Sequence, residues 1–421
     1  MIRGLTYLLA LLYCFVWLRI PNLAGVALPI QRLVAWSGLA VLLILIATKG
    51  SLWVGTSGRS FLKYTALFLA FMLVNLVQKL AYGSHFYPLY FAMDFSKYVA
   101  IFLVAFLTYY ALTSRRVNED GFVRAILFSG VCCTVLVYVF LSLYFLGFRT
   151  DNELLAPSFG GALGVWPTAG MWPRLAGTAA EPQQLSVLLL TPLLLMFSRV
   201  HLRRYWHIAA LALLAIAMSQ SKFAVISLAF VALYLVLVYR RRRKLILIGL
   251  LLTAPFLVLF VAKLPTFAET LQQGTSAGAF VERLENLVIL VGVIREYPLL
   301  GIGPGQYGVF RGITLFGDPS HAPAYYPNMD FLKILAEVGI IGFLIVVALL
   351  ASLVLPVVRA NRRISPDRRD QYLAFFLGAL AILCNMLIGY ELLHVFFWIN
   401  MGMLMYLTEI SSRVPAAVAP R

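Results

Sequence analysis

Apolar residues run along this chain in long unbroken blocks, with polar residues confined to the gaps between them. A transmembrane helix needs about 20 such residues. Blocks near that length fall at 4–21, 26–48, 61–80, 95–113, 122–147, 183–199, 205–220, 223–239, 245–263, 329–357, 371–389 and 391–408. They predict an all-α polytopic membrane protein with about 12 transmembrane helices, one integral membrane domain over residues 1–421. The first block follows Met1-Ile-Arg3 without a small-residue cleavage site, and reads as a retained span.

Two connectors are far longer than the roughly 4–6 residues that most connections need. The first, 148–184, is crowded with Gly, Pro and Trp from Phe159-Gly-Gly-Ala-Leu-Gly-Val-Trp-Pro167 to Glu181-Pro182. So many backbone breakers oppose a long helix and predict a folded loop dipping towards the membrane, with its Trp residues at headgroup depth. The second, 264–330, is a large outer loop with amphipathic helical character. Phe280, Leu284, Leu287, Val288, Val291 and Ile294 recur at helical spacing over 280–296, Glu282, Arg283, Glu285, Asn286 and Glu296 fill the other face, and Pro298 and Gly301 end the pattern. Such a helix would lie in the outer interface. Between the seventh and eighth blocks stands only Ser219-Gln-Ser-Lys222, a hairpin that sets Lys222 at the depth of the two large loops.

Composition then narrows the function classes. Hydrophobic residues make up 62% and charged residues 12% of the chain, and the charged share is about half that of a soluble domain. A net charge of +17 would suit nucleic acid, but its placement says otherwise. With a cytoplasmic N-terminus, 22 of the 34 Lys and Arg fall on inner connectors and termini, which predicts cytoplasmic N- and C-termini. Arg240-Arg-Arg-Arg-Lys244 then touches anionic headgroups, and no nucleic-acid partner is expected. Of 17 Asp and Glu, 12 lie towards the outer face, so the polar reaction site is expected there. Cys14, Cys132, Cys133 and Cys384 all sit in apolar blocks without paired ligand spacing, so neither a disulfide nor a metal site is expected.

Arg174 in the first loop and Arg283 in the second are the leading candidates for an anionic ligand. A guanidinium carries five donors in a planar fork and stays charged, which suits a pyrophosphate ester; the competing reading is a snorkelling arginine on headgroups. Lys222 supports them by its depth, while Arg295 and Arg311 read as headgroup contacts. Gly301-Ile-Gly-Pro-Gly305 lacks the βαβ context of a dinucleotide fingerprint; it lets the backbone turn sharply and approach a ligand. His321 is a candidate general base for a sugar hydroxyl, as are Glu181 and Asp330 if burial raises their pKa. No clustered His, Asp or Glu would hold a divalent cation, so metal-independent chemistry without a cofactor is expected.

From about residue 170 to 345 the order of elements resembles the family of O-antigen ligases and O-antigen or exopolysaccharide polymerases. The residues that carry the resemblance are Arg174-Leu-Ala-Gly177 before a span, Ser219-Gln-Ser221, Arg283 on a loop helix, Tyr297-Pro-Leu-Leu-Gly-Ile-Gly-Pro-Gly305 and Asn328-Met-Asp-Phe-Leu-Lys-Ile-Leu-Ala-Glu-Val-Gly-Ile-Ile-Gly342. The resemblance implies a glycosyltransferase of the bacterial inner membrane with a periplasmic active site. It implies an undecaprenyl-pyrophosphate-linked oligosaccharide as donor, a glycan acceptor, and a chain-length regulator as a further partner. In that family outer-face arginines bind the pyrophosphate, and the last segment often reads His-Asn, nine residues and Gly. With Gly339 as that Gly, Asn328 stands in the His position and Met329 in the Asn position. The departure turns the expectation towards a polymerase, with a ligase as the alternative. A flippase for the same lipid-linked glycans is the alternative from another class, disfavoured because the spans are nearly free of charge.

Overall fold

The structure, a computed structural model, describes residues 1–15, 19–20, 28–49, 52–82, 86–148, 164–166, 173–179, 182–239, 277–320, 327, 329–360, 364–387, 389 and 392–412. The helices are α1 (Ile2–Leu11), α2 (Ile30–Lys49), α3 (Thr56–Tyr82), α4 (Pro88–Thr113), α5 (Glu119–Phe145), α6 (Pro182–Met196), α7 (Leu202–Met218), α8 (Lys222–Val238), α9 (Ala277–Glu296), α10 (Tyr307–Phe316), α11 (Asp330–Ala360), α12 (Pro366–Asn385) and α13 (Val395–Ser412). Four short strands form two antiparallel pairs, β1 (Arg19–Ile20) with β2 (Leu28–Pro29) and β3 (Gly164–Trp166) with β4 (Arg174–Gly177). The apolar blocks from 26–48 onwards each overlap a described helix except 245–263, which lies outside the described residues.

Five helices, α2, α3, α4, α5 and α11, are long and apolar enough to cross a membrane, and α1, α6 and α8 are shorter apolar helices. Among the described residues this multi-pass helical architecture carries almost no sheet. The first block departs from expectation: it was read as one span over 4–21, yet its helix has 10 residues, about 15 Å of rise. Side chains from elsewhere break it. Gln31 Nε2 donates to the Leu12 and Phe15 carbonyls, 3.0 Å each, and the Cys14 N–H donates to Ser129 Oγ at 2.9 Å. Those contacts replace the backbone bonds a longer helix would make.

Capping fixes other boundaries. Asn118 Oδ1 accepts the Asp120 N–H at 3.1 Å ahead of α5, with Glu119 and Asp120 in its first turn. Proline opens α4 and α12, where its missing N–H is harmless.

The core sits where α4, α6, α12 and α13 meet. Trp398 of α13 stands edge-on to Phe102 of α4 with ring centroids 4.9 Å apart, inside a run of fully buried residues on α13. Asn400 joins three segments: its Oδ1 accepts from the Tyr13 hydroxyl at 3.0 Å, and its Nδ2 donates to Thr191 Oγ1 of α6 at 2.9 Å. Asn400→Leu removes both bonds while keeping the volume, and is expected to cost about 1–2 kcal/mol in a detergent unfolding assay. A Thr191→Ala change made on that background should then cost less than it does alone, because the bond to Asn400 is already gone.

Candidate functional site

Arg174 opens β4, opposite Trp166 of β3, while the next two residues, Leu175 and Ala176, are buried. Those buried residues anchor the hairpin, and Arg174 stands half-buried at its edge. Its Nε donates to the Ser219 carbonyl at 3.1 Å, tying β4 to the turn between α7 and α8. In that turn Gln220 takes a left-handed φ of +49°, and the hydroxyls of Ser186, Ser219 and Ser221 close a triangle with sides of 2.8, 3.1 and 3.3 Å. Ser221 Oγ also accepts the Ala224 N–H at 3.1 Å and so caps α8. The structure thus brings Arg174 to the positive end of α8, the helix that Lys222 begins.

Asp330 begins α11 and is fully buried. Its Oδ2 accepts the Leu392 N–H at 2.8 Å, and its own N–H donates to the Gly389 carbonyl at 3.0 Å. A Cβ on Gly389 would stand 2.6 Å from the Phe223 ring, so the start of α8 packs on the same connector. The starts of α8 and α11 are therefore neighbours at one end of the bundle.

Beside them the turn 297–306 docks on α11. Its Ile302 and Gly303 N–H groups donate to the Ala336 and Glu337 carbonyls at 3.0 and 2.8 Å, and the Ile340 N–H donates back to the Pro298 carbonyl at 2.8 Å. A kink in α11 at Gly339 frees those groups. The glycines of Gly301-Ile-Gly-Pro-Gly305 make a close approach as expected, but to protein backbone: a Cβ on Gly301 would meet the Glu337 carbonyl at 2.4 Å, and one on Gly305 the Tyr90 carbonyl at 2.4 Å.

Under this turn lies an ion cluster that the sequence reading did not single out. Lys333 Nζ is 2.7 Å from Glu337 Oε2 and 3.0 Å from Asp94 Oδ2, and Lys97 Nζ is 2.6 Å from Asp94 Oδ1. Glu337 Oε1 also accepts the Tyr307 N–H at 3.2 Å. Asp94 is the seventh residue of α4 and Glu337 the eighth of α11, about 10 Å inside the helix starts. The spans are thus less free of charge than expected, and Asp94, Lys97, Lys333 and Glu337 are closed into ion pairs. Charged residues inside apolar blocks, with Lys333 and Glu337 four apart on one helix face, were the available signal.

Helix α9 confirms the helix read over 280–296 and corrects the orientation of its faces. Leu284, Val288 and Val291 are exposed, whereas Asn286, Ile289, Leu290 and Val293 are buried. Asn286 Oδ1 accepts from the Tyr307 hydroxyl at 2.8 Å and from Arg311 Nε at 3.2 Å. Arg311, read as a headgroup contact, is instead buried in the fold, whereas Arg295 is exposed. Tyr297 lies under Lys79, whose Nζ is 4.9 Å from the ring centroid. The hydrogen bond with Glu296 pushes the Tyr297 phenol up, and burial and the Glu296 charge add to the shift. It stays a neutral donor.

Arg283 lies on α9 and Lys222 on α8, with their side chains outside the described residues. His321, Glu181 and Asn328 also lie outside the described residues. Among the described residues no group of three His, Cys, Asp or Glu is placed to hold a metal.

The stretch from α7 through the first half of α11 carries the hairpin, the docked turn and the Asp330 end of the site. Residues 207–347 match the O-antigen ligase family model. The match shows a likeness of that third of the chain to the O-antigen ligase family, and covers Lys222, Arg283, His321, Asn328 and Asp330 but not Arg174 or Glu181. No curated protein matches the chain.

Proposed function

We propose that this protein is a polysaccharide polymerase: it transfers a glycan from undecaprenyl pyrophosphate to a sugar hydroxyl of another lipid-linked repeat, at the periplasmic face of the inner membrane. The observation that carries the reading is the bond from Arg174 Nε to the Ser219 carbonyl, which sets a guanidinium against the turn that leads into α8, the helix that Lys222 begins. In the reaction the bond between the anomeric carbon and the pyrophosphate oxygen breaks, and its electron pair leaves with the phosphate. The acceptor oxygen bonds the anomeric carbon and gives its proton to a base.

Arg174, Arg283 and Lys222 hold the pyrophosphate and stabilise the charge that grows on it, so no divalent cation is invoked. His321 and Glu181 precede Asp330 as candidates for the base, because the Asp330 carboxylate already holds the Leu392 N–H. Asn328 stands two residues before Asp330 in sequence and belongs to the loop near the proposed site. A chain-length regulator would act on the length of the product.

The test is incubation of purified protein with a lipid-linked repeat unit alone. A ladder of products with released undecaprenyl pyrophosphate is expected, and Arg283→Ala should lower its yield at least tenfold with folding unchanged. Product that forms only when lipid A core is added would move the reading to the ligase reaction, after which the matching family is named. Absence of product under both conditions would favour the flippase.

A further inference from the structure

At the end of the bundle opposite Arg174 and Asp330, a cavity of about 410 Å³ opens between α4, α12 and α13, lined by Leu112, Thr113, Arg115, Arg368, Tyr406 and Ile410. Its size falls in the roughly 300–1,000 Å³ range of small-ligand sites. The backbone fixes where Arg115 begins, and an ion pair holds Arg368. Arg115 ends α4 with a left-handed φ of +55°, a strained conformation for a residue with a side chain, while the Arg116 and Val117 N–H groups bond the Ala111 carbonyl at 3.0 and 3.1 Å. Arg368 Nη2 is 3.2 Å from Glu119 Oε2, which also accepts from the Tyr406 hydroxyl at 3.0 Å. Glu119 therefore orients Arg368 and Tyr406 around the cavity and balances one positive charge. Arg115 has no acidic partner within ion-pair distance among the described residues.

We infer that this cavity binds a phosphate group, with Arg115 and the free donors of Arg368 forking onto its oxygens. Guanidinium geometry matches phosphate bidentately, and basic pockets between transmembrane helices take anionic headgroups. The apolar side chains of Leu112 and Ile410 give the organic part of the ligand a dry wall. The ligand is either an anionic phospholipid headgroup or a soluble phosphate ester, and the same chemistry serves both. A helix C-terminus alone would favour nearby cations through its dipole. That effect explains Arg115 and Arg116 being basic, but not the cavity between three helices or the Glu119 clamp.

The test is thermal unfolding of the full-length protein in a neutral detergent, with phosphatidylglycerol, phosphatidylcholine or inorganic phosphate added. Phosphatidylglycerol is expected to raise the midpoint by several degrees, with phosphatidylcholine inert, which assigns a lipid headgroup. A rise with inorganic phosphate alone would assign a soluble phosphate ester instead. Arg115→Gly removes the guanidinium and suits the left-handed backbone, so the protein folds, and it should abolish the shift. Arg203→Gln removes an exposed basic side chain outside the cavity and should keep it. The inference is overturned if neither anion shifts the midpoint, if Arg115→Gly shifts like the wild type, or if Arg203→Gln loses the shift as well.

Discussion

Lys333→Ala is expected to destabilise the protein by about 3–5 kcal/mol, the size typical of removing one partner from a buried charge pair. The ammonium lies between two carboxylates, 3.0 Å from Asp94 and 2.7 Å from Glu337, and all three side chains are nearly inaccessible. Without it Asp94 keeps Lys97, but Glu337 keeps only the Tyr307 N–H, and a carboxylate with one hydrogen bond is costly to bury. The loss should therefore be rescued more by Glu337→Gln than by Asp94→Asn on the Lys333→Ala background. Equilibrium unfolding of the three variants in detergent reads this directly; equal rescue by the two would show that the charge is shared evenly. Replacing Lys333, Asp94 and Glu337 together by apolar residues should cost less than Lys333→Ala alone, since a buried ion pair is often no better than packed hydrocarbon.

That cluster also shows where the sequence stopped being legible. The apolar blocks gave the helices because a spanning segment needs only a run of hydrocarbon, which is a local property. Lys333 and Asp94 are 239 positions apart, and no local pattern announces such a pair. The early end of α1 is of the same kind: its cause is Gln31, Ser129 and Asn400, none of them in the first block. For α9 the period was legible, but the direction of the stripe was not. In water an apolar stripe turns inward, whereas here Val288 is 70% exposed and Asn286 is 3% exposed, as lipid contact allows. The site was partly legible. The Ser219 hairpin followed from topology, and its meeting with Arg174 agrees with the shared depth inferred for the loops; the engagement of Asp330 with Leu392 depends on a connector 62 residues away.

Gly339→Ala is expected to cost about 3 kcal/mol or more and to undock the turn 297–306 from α11. Gly339 has φ +64° and ψ −174°, a region open essentially to glycine, where another residue costs about 1–3 kcal/mol. Space adds to that cost. A Cβ there would stand 2.2 Å from the Leu299 carbonyl oxygen and 2.5 Å from the Leu300 nitrogen, backbone atoms that cannot swing aside as a side chain can. Moving them breaks the bonds from Ile302, Gly303 and Ile340 that hold the turn. Gly342 makes the comparison. It has no left-handed φ, and its Cβ would stand 2.5 Å from Val338 Cβ and 2.6 Å from the Phe71 ring of α3, side-chain atoms rather than backbone, so Gly342→Ala should cost less than Gly339→Ala and leave the turn docked. Hydrogen exchange at Ile302 and Gly303 separates the cases: fast exchange in Gly339→Ala and near-native exchange in Gly342→Ala are expected. Since the turn carries Tyr307 onto Glu337 and Asn286, its release should also loosen α9, the helix that bears Arg283. Activity in Gly339→Ala should therefore fall although no proposed ligand contact has been changed.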